Sequence, residues 1–160
     1  MASRGKMSRS EALTELQKFG ISGKDVYLLD VIPLLEMIWA DGKVQAYELS
    51  ILESFIEQHV DNLNCLAGTN VLSSEDGRTF VSRFLRARPD PEVLAVLRSM
   101  IPPVRLSNSS HDLNEAHRRS IVRWCLDIGS ACAAEYPCAD RERFNEAEKQ
   151  CFMNILQSLS

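Results

Sequence analysis

The chain has 160 residues, 45% of them hydrophobic, and a formal net charge of −4. A single domain of that length buries roughly two-thirds of its unfolded surface, so it can fold without disulfide or metal staples, and its acidic balance argues against nucleic acid as a partner. Five cysteines (Cys65, Cys125, Cys132, Cys138 and Cys151) with no Cys-x-x-Cys pair argue against both a zinc knuckle and a disulfide framework.

Residues 1–7 read as a disordered tail without the apolar core of a secretory leader, and no apolar run approaches the ~20 residues of a membrane span. The cytoplasm is therefore the expected location. Ser8 and Glu11 form a capping-box pattern opening a short helix that Gly20 stops. Ser22 and Asp25 repeat the pattern ahead of an apolar helix from Asp25 to Ala40. Pro33 lies inside that helix and should kink it, freeing the Leu29 carbonyl. Gly42 ends it, and a helix from Gln45 to Asp61 follows, with the stripe Leu49, Leu52, Phe55, Ile56 and Val60.

The polar stretch from Asn62 to Ser74 reads as a linker. Ser73 and Asp76 then cap a helix carrying Phe80, Val81, Phe84 and Leu85, and Asp90-Pro91 caps another that runs to Ile101 and is ended by Pro102-Pro103. A long helix is expected from about Asp112 to Glu135, with the stripe Leu113, Ala116, Ile121, Trp124, Ile128 and Ala131, and Pro137 forces its end. Asn145 and Glu148 cap the closing helix. No segment alternates with a two-residue period, so the expected class is all-α: one domain, 8–160, of about seven helices.

An acidic pattern occurs twice. Leu28 to Glu48 holds Asp30 in an apolar stretch, then Ala40-Asp41, then Glu48 opening a helix; Cys125 to Glu148 repeats this with Asp127, Ala139-Asp140 and Glu148. The two copies, spanning about 22–61 and about 112–159, imply a duplicated helical hairpin. Asp30 and Asp127 lie on or beside apolar stripes, and a buried carboxylate needs a cation, donors or a proton. An arginine from the middle of the chain is one answer, since residues 78–123 carry nine arginines and no lysine. Tryptophan N–H groups and freed backbone amides are a second, and a metal ion is the third. Asp30 and Asp41 are about 16 Å apart along a helix at ~1.5 Å per residue, too far to share an ion. Asp30 could instead meet Glu148, and Asp127 meet Glu48, where the hairpins cross; such an all-oxygen set suits Ca²⁺ or Mg²⁺ better than Zn²⁺. The competing reading is that Glu48 and Glu148, each three residues after a cap position, serve only to cap their helices.

Other groups read as structural. His111, Asp112, Glu115 and His117 look like the solvated first turns of a helix, although His111 and Glu115 share a face that could catch Zn²⁺ or Ni²⁺. His59 reads as partly exposed near a helix C-terminus, and Arg83, Arg86 and Arg88 as a solvated face or an anion- or partner-binding patch. No nucleophile–base pair or phosphate loop is visible at local spacing, so no enzyme activity is expected.

The segment Ile38-Trp39-Ala40-Asp41-Gly42-Lys43-Val44-Gln45-Ala46-Tyr47-Glu48 resembles the Ala-Asp-Gly-x-(Ile/Val)-x-x-x-Glu signature of TerB-like proteins, the tellurite-resistance B family. Ala139-Asp140, Phe144 and Glu148 echo it, with Arg141 in place of the glycine and one residue inserted before the glutamate. The resemblance covers the chain from about Ser8 to Leu159. It implies an all-helical fold with internal pseudo-symmetry, a divalent-metal site built from acidic residues, and a part in the response to tellurite or other chemical stress. The expected ligands are Asp30, Glu48, Asp127 and Glu148, with Asp41 and Asp140 as secondary candidates. The alternative is a metal-free helical adaptor that binds a protein partner through the Arg-rich middle. Sequence leaves open whether the chain is a monomer or a homodimer.

Overall fold

The computed structural model describes residues 7–40, 42, 44–129 and 146–159. Asp41, Asp140, Asn145, Cys132, Cys138 and the tail through residue 6 lie outside them. The described residues contain helices and no strand: α1 (Arg9–Lys18), a 3-10 helix (Gly23–Val31), α2 (Ile32–Trp39), α3 (Ala46–Ala67), α4 (Ser74–Leu85), α5 (Pro91–Ser99), α6 (Ile101–Arg105), α7 (His111–Gly129) and α8 (Glu146–Leu159).

The short helix α2 is the hub. Its only charged residue is Glu36; Ile32, Leu34, Leu35, Met37 and Ile38 are all fully buried. A helix apolar on every side must be covered on every side, and α5, α7, α8 and the 3-10 helix pack around it. Each of those aliphatic side chains is worth roughly 1.5–3 kcal/mol when taken from water. α3 lies between α4 and α7, and its Phe55 meets Trp124 of α7 edge-on at 5.4 Å. Cys125 is fully buried in the same core.

The local signals for three helix starts hold. Ser8 and Glu11 form both bonds of a capping box, as do Ser73 and Asp76, and the Asp90 side chain accepts from the Glu92 amide ahead of Pro91. The signals around Pro33 and Pro102-Pro103 resolve differently. The apolar run from Asp25 to Ala40 is two elements, and Pro33 sits in the first turn of the second, where its missing N–H costs nothing. The Leu29 carbonyl is not freed; it accepts from the Ile32 amide. Ser22 makes no side-chain cap, and Asp25 instead pairs with Arg83 at 3.3 Å. Pro102 and Pro103 do not end a helix; they open α6.

α3 runs through Asn62 to Ala67 and ends at Gly68, whose φ of 70° suits a residue without a Cβ. Only the second half of the expected linker is a loop, and Asn64 pins it by bonding Val71 and Leu72. Two expected stripe residues face water: Leu49 is 37% exposed and Leu113 is 59% exposed.

Gly77 shows how closely α4 approaches α3. A Cβ built there would lie 2.5 Å from Cγ2 of the buried Ile56. Alanine normally favours a helix over glycine by about 1 kcal/mol, but Cγ2 of a β-branched side chain cannot swing away, and overpacking costs about 1–3 kcal/mol. Gly77→Ala is therefore expected to be destabilising. The loss should shrink in an Ile56→Ala background, a coupling that urea denaturation of the four-protein cycle would measure.

Candidate functional site

Asp30 is the residue around which polar groups converge. The 3-10 helix turns it inward, where it is 1% exposed. A carboxylate so placed is stable only if its lone pairs are answered. Arg105, the last residue of α6, donates from Nε to Oδ1 and from Nη2 to Oδ2, each at 3.2 Å, in a two-point fork. His117 of α7 donates from Nε2 to Oδ2 at 2.6 Å. His59 of α3 brings its own Nε2 to 3.7 Å from the same oxygen while donating to the Tyr27 carbonyl at 2.7 Å. The Arg105 guanidinium lies over the Tyr27 ring, 5.2 Å from its centroid, and the His59 ring stacks on Phe55 at 5.1 Å.

Burial works to raise the Asp30 pKa, but the His117 hydrogen bond and the charges of Arg105, His117 and His59 outweigh it, so the carboxyl is held well below the usual range. Burial pushes the His59 pKa down, against the pull of Asp30 and the Tyr27 carbonyl. The cluster borders a cavity of about 300 Å³ whose walls include Asn62, Leu63 and Ser120.

The other expected ligands are placed as follows. Glu48 is 2% exposed in the first turn of α3, and its Oε1 accepts from the Gln45 amide at 3.1 Å. Glu148 is 4% exposed in the first turn of α8. Asp127 lies on the exposed side of α7. Asp41 and Asp140 fall outside the described residues. Among the described residues, no group of three or more His, Cys, Asp or Glu side chains is arranged to hold a metal ion.

Three members of the Asp30 cluster were not legible as such. His117 belongs not to a solvated turn but to the buried network, and His59, at 11% side-chain exposure, lies inside α3, which runs on to Ala67, rather than near its C-terminus. Arg105 was one of nine arginines in the middle of the chain. The apolar neighbours of Asp30 signalled that some cation had to meet it, but nothing local marked which. Arg83, by contrast, is tied to Asp25 and lies over the Phe80 ring, so it is not a free face. Comparison with protein-family models, with curated proteins and with solved structures finds no match for this chain.

Proposed function

We propose that this chain is a TerB-like, non-enzymatic protein of a cytoplasmic chemical-stress response, tellurite included, that binds a divalent cation through acidic side chains at its helix-hairpin turns. The observation that supports this reading is the matched burial of Glu48 and Glu148, each in the first turn of its helix, α3 and α8. Each follows an Ala-Asp pair in sequence, so Asp41 and Asp140 complete the acidic set. Asp30 contributes differently: its oxygens are taken by Arg105 and His117, and a cation there would have to displace a guanidinium. Asp127, on the exposed side of α7, is peripheral. A hard cation, Ca²⁺ or Mg²⁺, matches carboxylate oxygens best.

Thermal melts test this directly. A hundredfold excess of cation over Kd stabilises the folded state by about 2.7 kcal/mol, a rise on the order of 5–10 °C for a chain of this size. Glu48→Gln and Glu148→Gln should each abolish the rise. A melt unmoved by Ca²⁺, Mg²⁺, Mn²⁺ and Zn²⁺ alike would remove the metal reading.

A second reading, the ion-free adaptor, is favoured by one surface feature. A groove of about 380 Å³ between α3 and α4 is lined by Leu49, Leu52, Ile56, Val81 and Leu85 and rimmed by Arg78 and Arg86. Partner capture lost in Arg86→Glu but retained in Glu48→Gln would select it. No helix among the described residues is long and apolar enough to cross a membrane.

A further inference from the structure

A separate cavity of about 340 Å³ lies where α2, α5 and α8 meet. That volume is at the small end of ligand sites, which run from about 300 to 1,000 Å³. Its apolar wall includes Trp39, Pro91 and Leu94; its charged residues are Glu36, Arg98 and Arg88, and Gln150 and Asn154 add neutral polar groups. The proposed cation site does not use these residues.

The Glu36–Arg98 pair is unusual in what it leaves unmade. Nη1 of Arg98 donates to Oε2 of Glu36 at 2.6 Å, with the two side chains only 13% and 10% exposed. The contact is single-point rather than forked. Oε1 of Glu36 and Nε of Arg98 are buried and have no hydrogen-bond partner. Leaving one buried polar atom unsatisfied costs about 1–3 kcal/mol, and more when the group is charged. Both residues line the cavity, and each carries a buried atom left unmet by the other. Arg88, exposed at its rim, adds a second guanidinium.

The charges define the complementary ligand. An amine alone would answer Glu36 but face two arginines. A carboxylate alone would answer the arginines but face Glu36. A molecule carrying both charged groups on one carbon answers both, and its apolar remainder meets Trp39, Pro91 and Leu94. Cys151 also lines the cavity, but burial pushes its thiol up to about 12, so it stands there as a neutral group and not as a nucleophile. We propose that this cavity binds a free amino acid with an apolar side chain, its ammonium paired with the Glu36 carboxylate and its carboxylate with the Arg98 and Arg88 guanidinium groups.

Isothermal titration calorimetry on the full chain at pH 8, with EDTA present so that no cation takes part, tests the proposal. L-leucine and L-phenylalanine are the probes, with leucinamide lacking the carboxylate and 4-methylpentanoic acid lacking the amine. The expected result is binding of at least one amino acid and a tenfold or greater loss for both one-charge analogues. Glu36→Gln should lose binding, and Arg88→Gln, at an exposed position, should weaken it at least fivefold. No heat with either amino acid, equal binding of leucinamide, or full binding by both variants would overturn the proposal. Because the cation melts probe Glu48 and Glu148, failure of one result leaves the other standing.

Discussion

Asp30→Ala is expected to lower the unfolding free energy by about 3–5 kcal/mol, the range for removing one partner of a buried ion pair. The cost does not come from the pair's own attraction, which desolvation largely offsets. It comes from what remains. Arg105 would keep its charge beside an empty space, with a side chain only 13% exposed. His117, at 26%, lies nearer to water, so it contributes less. Asp30→Ala combined with Arg105→Met should therefore recover a large part of the loss, and urea unfolding of the four proteins would show it as a strong favourable coupling. If the double variant is as unstable as the sum of the singles, Arg105 is not the group left stranded. The effect should also depend on acid. The folded-state pKa of Asp30 is depressed below its ordinary 3.8, so its stabilisation is present above that value and fades as pH falls further. The gap between wild type and Asp30→Ala should close as pH falls below 3.8.

Glu36 should show the opposite dependence. Burial pushes its carboxyl up to about 7, against the charge and hydrogen bond of Arg98. A raised carboxyl pKa means that the folded state holds its proton more tightly than the unfolded chain does. Its contribution is then fully present below the ordinary value of 4.5 and is lost as pH rises through about 7. At ~1.4 kcal/mol per pKa unit, the loss is about 2–3 kcal/mol between pH 4.5 and 8. His59 works the other way in part of this window, because its depressed pKa makes acid destabilising. Comparison with Glu36→Gln cancels that contribution, since both proteins contain His59. The wild-type minus Glu36→Gln difference, followed by urea midpoints from pH 4.5 to 8, should fall steadily as pH rises. A difference independent of pH would mean that Arg98 keeps Glu36 ionised throughout.

The two carboxylates show where sequence reading succeeds and where it stops. That Asp30 would be buried follows from its apolar neighbours within two turns, Val26, Leu34 and Met37 among them. That an arginine of the middle segment would meet it was open to inference. That it would be Arg105, 75 residues on, aided by His117, 87 residues on, was not. Those residues sit among polar neighbours that look solvated, because their environment is supplied by other helices. Glu36 gave no signal at all; one acid in an apolar helix does not reveal whether its partner uses one contact or two.

The prolines carry the same lesson. A proline is tolerated in a helix's first turn and disruptive further in. Its effect depends on where the helix begins, and for α2 and α6 tertiary packing set that start rather than any local cap. Where a side chain could cap within three residues, as at Ser8, Ser73 and Asp90, the start was readable.

The residues in order were enough to determine an all-helical chain with an apolar second helix at its centre and an inward acid in need of a cation, because periodicity and capping act over one or two turns. Only the tertiary structure decided that Arg105, His59 and His117 surround Asp30, and that Glu36 and Arg98 meet through a single contact beside a cavity. Pairing between distant side chains depends on how helices cross, and no interaction within a turn encodes that crossing.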